Sequence, residues 1–239
     1  MSPDKLQKLQ QMGLGPVWQR RHLPAGATPM NALTADLPSH APAVDDAIAH
    51  MDWVTLESTI RECMRCGLCE SRQHAVPGVG DQGARWLFVG EGPGRNEDLQ
   101  GEPFVGPAGK LLDNMLRALD LARGENTYIA NIVKCRPVGA DGRDRPPTPE
   151  EVAACLPYLQ RQIALIQPDV IVALGKTAAV SLLGLPADTS LGSLRGQSHT
   201  YAGVPLVITY HPAYLLRQPV DKAKVWRDLC RAKGIIDGR

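Results

Sequence analysis

The stretch "RWLFVGEGPG" (85–94) joins a short apolar run to a glycine-rich turn, and this pattern recurs along the chain. Further apolar runs at 127–135, 169–175 and 204–212 alternate with helical patterns at 107–124, 148–167 and 176–184. In the second of these helical patterns, Thr148, Pro149 and Glu151 form the sequence signature of a capping box. Strands that alternate with helices predict a mostly parallel sheet covered by helices on both faces.

Composition limits the classes of protein to which the chain can belong. It has 239 residues, 44% of them hydrophobic, which is enough for one substantial domain plus an appendage. No apolar run reaches the roughly 18 residues of a membrane span, and the N-terminus lacks a secretory pattern, so we expect a cytoplasmic protein. A net charge of +1 gives no overall attraction to nucleic acid, so any such binding needs a local basic patch.

The N-terminal quarter differs in composition from the rest. Residues 1–22 combine an apolar turn, a glycine-containing break, Trp18 and an arginine pair, which is typical of a docking peptide or of a frayed tail. Residues 23–52, rich in Pro, Ala and Asp for most of their length, show no sustained helical or strand period there and are predicted to be a flexible linker. The domain is predicted to span residues 53–239.

Polar residues that directly follow the predicted strands are the candidates for a binding site, because ligands bind at the carboxyl ends of parallel strands. Glu91 and Gly92 lie in the "GEGPG" turn, Asn131 lies near the end of the second strand, and His211 follows the last one. The glycines alone are equally consistent with a tight turn, and they match neither a Walker loop nor the dinucleotide spacing. A buried Asn131 is either a structural tie or a reader of a polar ligand edge.

Four of the six cysteines have a spacing that suggests a metal site. Cys63 and Cys66 form a C-x2-C pair, whereas Cys135 and Cys155 lie further along the chain. In a reducing compartment such thiols are metal ligands or catalytic groups more often than disulfides. Zinc and a 4Fe-4S cluster both satisfy this spacing. Cys69 is a spare thiol in a position suited to a ligand.

Taken in order, several motifs resemble the family 4, iron-sulfur uracil-DNA glycosylases. They are "CMRC" (63–66), "GEGPG" (90–94), "GEPFVGPAGKLLD" (101–113), "NIVKCRP" (131–137), "PTPEEVAAC" (147–155), "ALGKTAA" (173–179) and "TYHPAYLLR" (209–217). The resemblance implies a three-layer α/β/α sandwich with a four-stranded parallel sheet. It also implies a monomer that acts on uracil-containing DNA in a bacterial nucleoid, with a 4Fe-4S cluster held by Cys63, Cys66, Cys135 and Cys155, and Cys69 as the alternative ligand.

Uracil excision gives the candidate residues distinct roles. Phe104 would stack on a base extruded from the duplex, and Asn131 would read the N–H and carbonyl edge of uracil. By resemblance, His211 would donate to the carbonyl on which negative charge collects, helped by backbone N–H groups of the turn that contains Gly92. By resemblance, Glu91 lies beside the sugar, and Glu97 crowds the methyl-bearing edge of thymine. The plain alternatives are a turn residue at His211 and a solvated carboxylate at the start of a helix at Glu97.

DNA contact is predicted from local charge near the C-terminus. Residues 195–239 contain eight Lys or Arg against three Asp, although such a charge run is often only a solvated face. Leu215 and Leu216 are predicted to form an apolar wedge for the vacated stack, and Arg217 to bind a phosphate. Arg136, in the cysteine-bounded loop, is predicted to hold the DNA backbone on the other side.

Two alternative functions remain open at this point. Relatives that trap uracil-DNA covalently carry a basic insertion ending in His before the last ligand, whereas "GADGRDRPPT" (139–148) has no His and favours turnover. The other alternative is a non-catalytic replication accessory with a structural cluster. Residues 1–22 resemble the N-terminal peptide of the psi subunit of the bacterial clamp loader, which predicts that they tether the chain to that loader.

Overall fold

The computed structural model describes residues 46–238, so the predictions for residues 1–22 and for most of the linker lie outside the described residues. The described helices are α1 (Asp46–Ala49), α2 (Trp53–Glu62), α3 (Arg95–Gln100), α4 (Pro107–Arg117), α5 (Pro149–Ile166), α6 (Lys176–Leu183), α7 (Leu191–Leu194), α8 (Pro212–Arg217) and α9 (Lys222–Ile236). Short 3-10 turns cover Gly67–Cys69 and Pro219–Asp221. No helix in this described part is both long and apolar enough to cross a membrane.

One mixed sheet of six strands organises the described chain. The strands are β1 (Val79–Gly80), β2 (Trp86–Gly90), β3 (Thr127–Asn131), β4 (Val170–Leu174), β5 (His199–Tyr201) and β6 (Val204–Thr209), in the spatial order β1-β3-β2-β4-β6-β5. The four central strands are parallel, as predicted, and both edge strands are antiparallel. The edge strands, of two and three residues, are too short to show a period in the sequence.

Alternate residues of the parallel strands face two separate apolar cores. In β2, Leu87 and Val89 pack on the side of α5 and α6, whereas Trp86 and Phe88 pack on the side of α4 and α9. All residues of β2, β3 and β4 are buried, as expected for parallel strands covered on both faces. This confirms the predicted α/β class with helices on both faces of the sheet.

The ends of the elements differ from the sequence expectations in a few places. The second parallel strand ends at Asn131, so Cys135 lies beyond the sheet and not at the end of the strand. The folded part also extends before residue 53, since Ile48 of α1 is 2% exposed in the core and Arg161 Nε donates to the Met51 carbonyl at 2.6 Å. The predicted cap of α5 is confirmed, because Glu151 N–H donates to Thr148 Oγ1 and Thr148 N–H donates to the Glu151 carboxylate.

Candidate active site and cysteine cavity

A cleft of about 650 Å³ lies at the carboxyl ends of the four parallel strands, where the alternation of strands and helices predicts a site. The turn after β2, the end of β3, the turn after β4 and the start of α8 all contribute to its wall. Seven of the predicted site residues line this cleft: Glu91, Gly92, Glu97, Phe104, Asn131, His211 and Arg217. The fold therefore gathers residues that are up to 126 positions apart in the sequence, since Glu91 and Arg217 both line the cleft.

Asn131 presents an unused hydrogen-bond acceptor at this cleft. The residue is 2% exposed, and its Oδ1 has no hydrogen-bond partner among the described residues. The β2–β3 register places Gly90 opposite Asn131, and a Cβ on Gly90 would lie 2.4 Å from this Oδ1. A buried acceptor without a partner costs about 1–3 kcal/mol, so its retention beside a cleft indicates a ligand that donates to it.

Phe104 forms the adjacent apolar wall. Its side chain is 6% exposed, and its ring stacks against the His211 ring with centroids 5.5 Å apart. The same missing Cβ of Gly90 leaves room for the Phe104 ring, whose Cζ would otherwise be 2.6 Å away. A flat apolar face next to a polar reader is the arrangement that a planar heterocyclic base requires.

His211 is held as a neutral imidazole with a defined tautomer. Its Nδ1 accepts from the Ala213 backbone N–H at 3.1 Å, as the N-cap of α8, which leaves the proton on Nε2. Burial, together with the nearby positive charge of Arg217, lowers the pKa of His211 from 6.5 to about 4, against an opposing effect of Glu97. Near neutral pH this residue is therefore a neutral N–H donor that lines the cleft.

The low pKa of His211 makes part of the stability of the fold dependent on pH. In the unfolded chain His211 becomes protonated below about pH 6.5, whereas in the folded chain it becomes protonated only near pH 4. The free energy of unfolding therefore falls as the pH drops through this window. His211→Asn keeps an N-cap side chain. Between pH 7 and pH 4.5, its free energy of unfolding is expected to fall by about 2 kcal/mol less than that of wild type. Urea unfolding at both pH values measures this difference. His199→Asn is the control, and equal losses in wild type and His211→Asn would contradict the assignment.

The two predicted carboxylates lie in different surroundings. The pKa of Glu91 is raised, because the effect of burial exceeds that of a hydrogen bond that Thr177 Oγ1 donates to the carboxylate. This hydrogen bond alone would lower the pKa. Glu97 accepts backbone N–H groups from Val105 and Gly106 at 2.9 Å and from Gly94 at 3.2 Å. Glu97 is therefore not a freely solvated carboxylate at the start of a helix, because it ties the "GEGPG" turn to the loop that carries Phe104.

Some of the predicted DNA-contacting side chains are exposed, whereas others are buried or ion-paired. Leu215 is 1% exposed in the core beside α9, so the prediction that it forms part of a wedge is wrong, whereas Leu216 is 47% exposed. Arg217 is exposed at the rim of the cleft. Arg136 lies in an ion pair with Asp144 at 2.5 Å and has a largely buried side chain, so it is not a free phosphate ligand.

Five of the six cysteines line a second, smaller cavity: Cys63, Cys66, Cys69, Cys135 and Cys155. Within residues 46–238, no three His, Cys, Asp or Glu side chains converge on a point that suits a single metal ion. Arg72 Nη1 donates to Cys135 Sγ and Lys134 N–H donates to Cys155 Sγ, both at 3.2 Å. Burial raises the pKa of the Cys135 and Cys155 thiols, the reverse of what a catalytic thiol needs.

Comparison with known proteins places this cleft in a family. A family model described as the uracil DNA glycosylase superfamily matches residues 77–230. A type-4 uracil-DNA glycosylase of Archaeoglobus fulgidus is 44% identical over 174 residues, which is 69% of this chain and 85% of the relative. Another from Thermotoga maritima is 44% identical over 180 residues, 74% of this chain and 91% of the relative. A third, from Pyrobaculum aerophilum, is 43% identical over 185 residues, 75% of this chain and 92% of the relative.

The chain belongs to the type-4 uracil-DNA glycosylases. This confirms the family resemblance and the enzyme class, a DNA glycosylase. The range matched by the superfamily model contains the cleft residues Glu91, Asn131 and His211 but begins after Cys63 and Cys66. The N-terminal cysteine pair is therefore outside what the superfamily model describes.

Sequence reasoning missed some residues that shape both sites. Thr177 bonds Glu91, and its only signal was its place in "ALGKTAA" directly after β4. Arg72 contacts Cys135, and a basic residue three positions after Cys69 was a weak sign of this contact. Arg123 holds the backbone of Phe104, and no local pattern in the sequence indicates that contact.

Proposed function

We propose that the chain excises uracil from DNA by hydrolysing the N-glycosidic bond. The observation that carries the proposal is the buried Asn131 Oδ1, which has no partner in the described chain and lies at the cleft beside Phe104. The ring N–H of uracil donates to such an oxygen, whereas cytosine has an acceptor at that position. A cytosine would leave buried polar groups unpaired, at about 1–3 kcal/mol each.

In this proposal the cleft residues divide the work of bond cleavage. The target base leaves the stack, at a cost of a few kcal/mol, and packs against the Phe104 ring. His211 then donates its Nε2–H to the uracil carbonyl on which negative charge collects, assisted by backbone N–H groups of the turn that includes Gly92. The carboxylate of Glu91 faces the sugar side, where it orients water or stabilises the cationic sugar. Glu97, fixed by three backbone N–H groups, forms a rigid wall against the methyl group of thymine.

DNA contact is proposed to come from the rim of the cleft, where the last two residues of α8 are exposed. Arg217 binds a phosphate, and Leu216, which is exposed, fills the space that the extruded base leaves. Arg136 supports the DNA-facing loop indirectly through its ion pair with Asp144, which lines the cleft.

A single-turnover assay on a uracil-containing oligonucleotide tests the proposed reaction. Release of free uracil together with an alkali-labile site is the expected result. A covalent protein–DNA band would instead indicate the trapping type of relative. If the folded protein releases no uracil, a non-catalytic DNA-binding role replaces the proposed one.

We also propose that Cys63, Cys66, Cys135 and Cys155 hold a 4Fe-4S cluster. The donor set fits, because these four thiols line one cavity and two N–H groups donate to sulfurs among them. Cys69 lines the same cavity and is the alternative ligand. The role of such a cluster is to fasten the segment of the first two cysteines to α5, since hydrolysis of a glycosidic bond transfers no electrons.

Cys135→Ser is expected to lower the iron content and the brown absorbance of the purified protein, because it removes a thiolate ligand and its hydrogen bond from Arg72. Iron analysis and visible spectra of anaerobically purified protein measure this loss. Cys230→Ser is the matched control, because Cys230 is exposed and does not line the cavity. Full iron content in Cys135→Ser would exclude this residue as a ligand.

A tether to the replicative clamp loader is proposed for residues 1–22, with residues 23–52 as the linker. The support is the sequence likeness to the psi subunit peptide, which includes Trp18 and the pair Arg20 and Arg21. The full chain is expected to bind clamp-loader subunits, and a chain without residues 1–22 is expected to lose this binding while it keeps its excision activity. Undiminished binding after the deletion would refute the tether.

A further inference from the structure

The backbone of Phe104 adopts a conformation that a bulky residue rarely takes. Its φ angle is 56°, in the left-handed region that costs a non-glycine residue about 1–2 kcal/mol. This conformation directs a ring that is 6% exposed toward the cleft and the His211 ring. Neighbouring groups must therefore hold residue 104 in place, because the isolated peptide would relax to a negative φ.

A guanidinium group provides that hold from the loop between α4 and β3. Arg123 Nη1 donates to the Pro103 carbonyl at 2.7 Å, and Nη2 donates to the Phe104 carbonyl at 2.8 Å. Asp113, on α4, accepts from Nε and Nη2 of the same guanidinium at 3.2 and 2.9 Å. One planar group thus bonds two successive carbonyls and one carboxylate, which suits arginine and no other side chain.

Helix α4 packs closely against the backbone of Phe104 in its strained conformation. A Cβ on Gly109 would lie 1.6 Å from the Phe104 carbonyl oxygen, so the first turn of α4 presses directly against that carbonyl. Asp113 is one turn further along the same helix, and its carboxylate fixes the guanidinium beside it. The oxygen that α4 crowds is the oxygen that Arg123 binds.

We propose that Arg123, anchored by Asp113, is a positioning residue that keeps the Phe104 ring in place for the extruded base. The inference rests on the proposed function, in which Phe104 stacks on uracil. Without the guanidinium, two carbonyls lose their donors, residue 104 relaxes, and the ring leaves the wall of the cleft. Removal of Arg123 therefore abolishes the same base stacking that removal of the Phe104 ring abolishes.

Fluorine NMR reads the position of the ring independently of activity, because the chain has only two phenylalanines. In the full chain labelled with 4-fluorophenylalanine, Phe104→Leu assigns the two resonances. Arg123→Met is expected to shift or broaden the Phe104 signal and to leave that of Phe88, which is fully buried in β2, unchanged. Unchanged signals, or equal changes in both, would overturn the proposal. Arg117→Met is the control, because Arg117 is an exposed residue of α4 whose guanidinium donates to the neighbouring Asn114.

A double-mutant cycle in single-turnover excision tests the functional half of the inference. Phe104→Ala is expected to slow excision about 10- to 100-fold, the range for loss of one base–aromatic stack. Arg123→Met is expected to slow it by a similar factor, and the double variant is expected to be no slower than Phe104→Ala alone. Additive losses, or a wild-type rate in Arg123→Met, would overturn the positioning role. A wild-type rate in Phe104→Ala would instead refute the proposed stacking on which the inference rests.

Two milder variants keep the test valid if Arg123→Met folds poorly. Arg123→Lys supplies only a point charge and is expected to recover part of the rate. Asp113→Asn keeps the guanidinium but weakens its anchor, and is expected to give a smaller loss that also disappears in the Phe104→Ala background. Losses that persist in that background would show that these residues act on general stability only.

Discussion

His211→Asn is expected to lower the single-turnover rate of uracil excision by about 10²- to 10³-fold, the usual cost of removing one preorganised donor to a developing negative charge. The imidazole is neutral and its Nδ1 is occupied by the Ala213 N–H, so only Nε2–H is available to the departing base. Asparagine can replace the imidazole as an N-cap of α8, but its shorter side chain does not reach the same position.

The control for this prediction must change a histidine without touching the cleft. His199→Asn does so, because His199 lies on the edge strand β5 and its Nε2 bonds the Leu194 carbonyl. Visible absorbance should be the same in wild type and in both variants, since neither histidine lines the cysteine cavity. A normal excision rate in His211→Asn, with unchanged absorbance, would refute its role as the donor.

Asn131→Ala is expected to reduce excision about 10²-fold or more, because two hydrogen bonds to the uracil edge are lost and each leaves a buried polar group unpaired. The free energy of unfolding, by contrast, should change little. The Asn131 Oδ1 has no partner within the described chain, so its removal breaks no internal hydrogen bond of that atom. Excision rates and urea unfolding of the same preparations measure both quantities.

This separation of activity from stability distinguishes a ligand reader from a structural tie. A tie would lose stability and activity together, whereas a reader loses activity alone. Asn114→Ala is the matched control, since Asn114 is exposed on α4 and bonds Arg117. Excision within about threefold of wild type in Asn131→Ala would show that this amide does not read the base.

The sequence predicted those features that depend on residues close together in the chain or on their place after a strand. The cap at Thr148 is a matter of residues three positions apart, and the placement of Asn131 and His211 follows from the rule that ligands bind after parallel strands. The edge strands escaped prediction because two or three residues carry no period. Prediction also failed where tertiary packing decides which way a side chain faces.

Leu215 and Arg136 illustrate that second limit. The two leucines of "YLLR" are equivalent in sequence, and only the packing of the six-residue helix α8 turns Leu215 into the core and Leu216 outward. Arg136 is a plausible phosphate ligand by charge, but the fold of the following loop brings Asp144 to it first. Likewise, three backbone N–H groups occupy Glu97 only after two glycine-rich segments meet.

The burial of the parallel strands on both faces has a consequence for the timescale of amide hydrogen exchange. Amides of β2, β3 and β4 are shielded by two apolar cores, so they should exchange only through global unfolding, whereas those of β5 at the edge should exchange through local opening. The turn that contains Glu91 and the position of Asn131 are continuous with these slowest-exchanging strands. The side of the cleft that Glu91 and Asn131 form is thus anchored in the segment of the chain that opens last on heating.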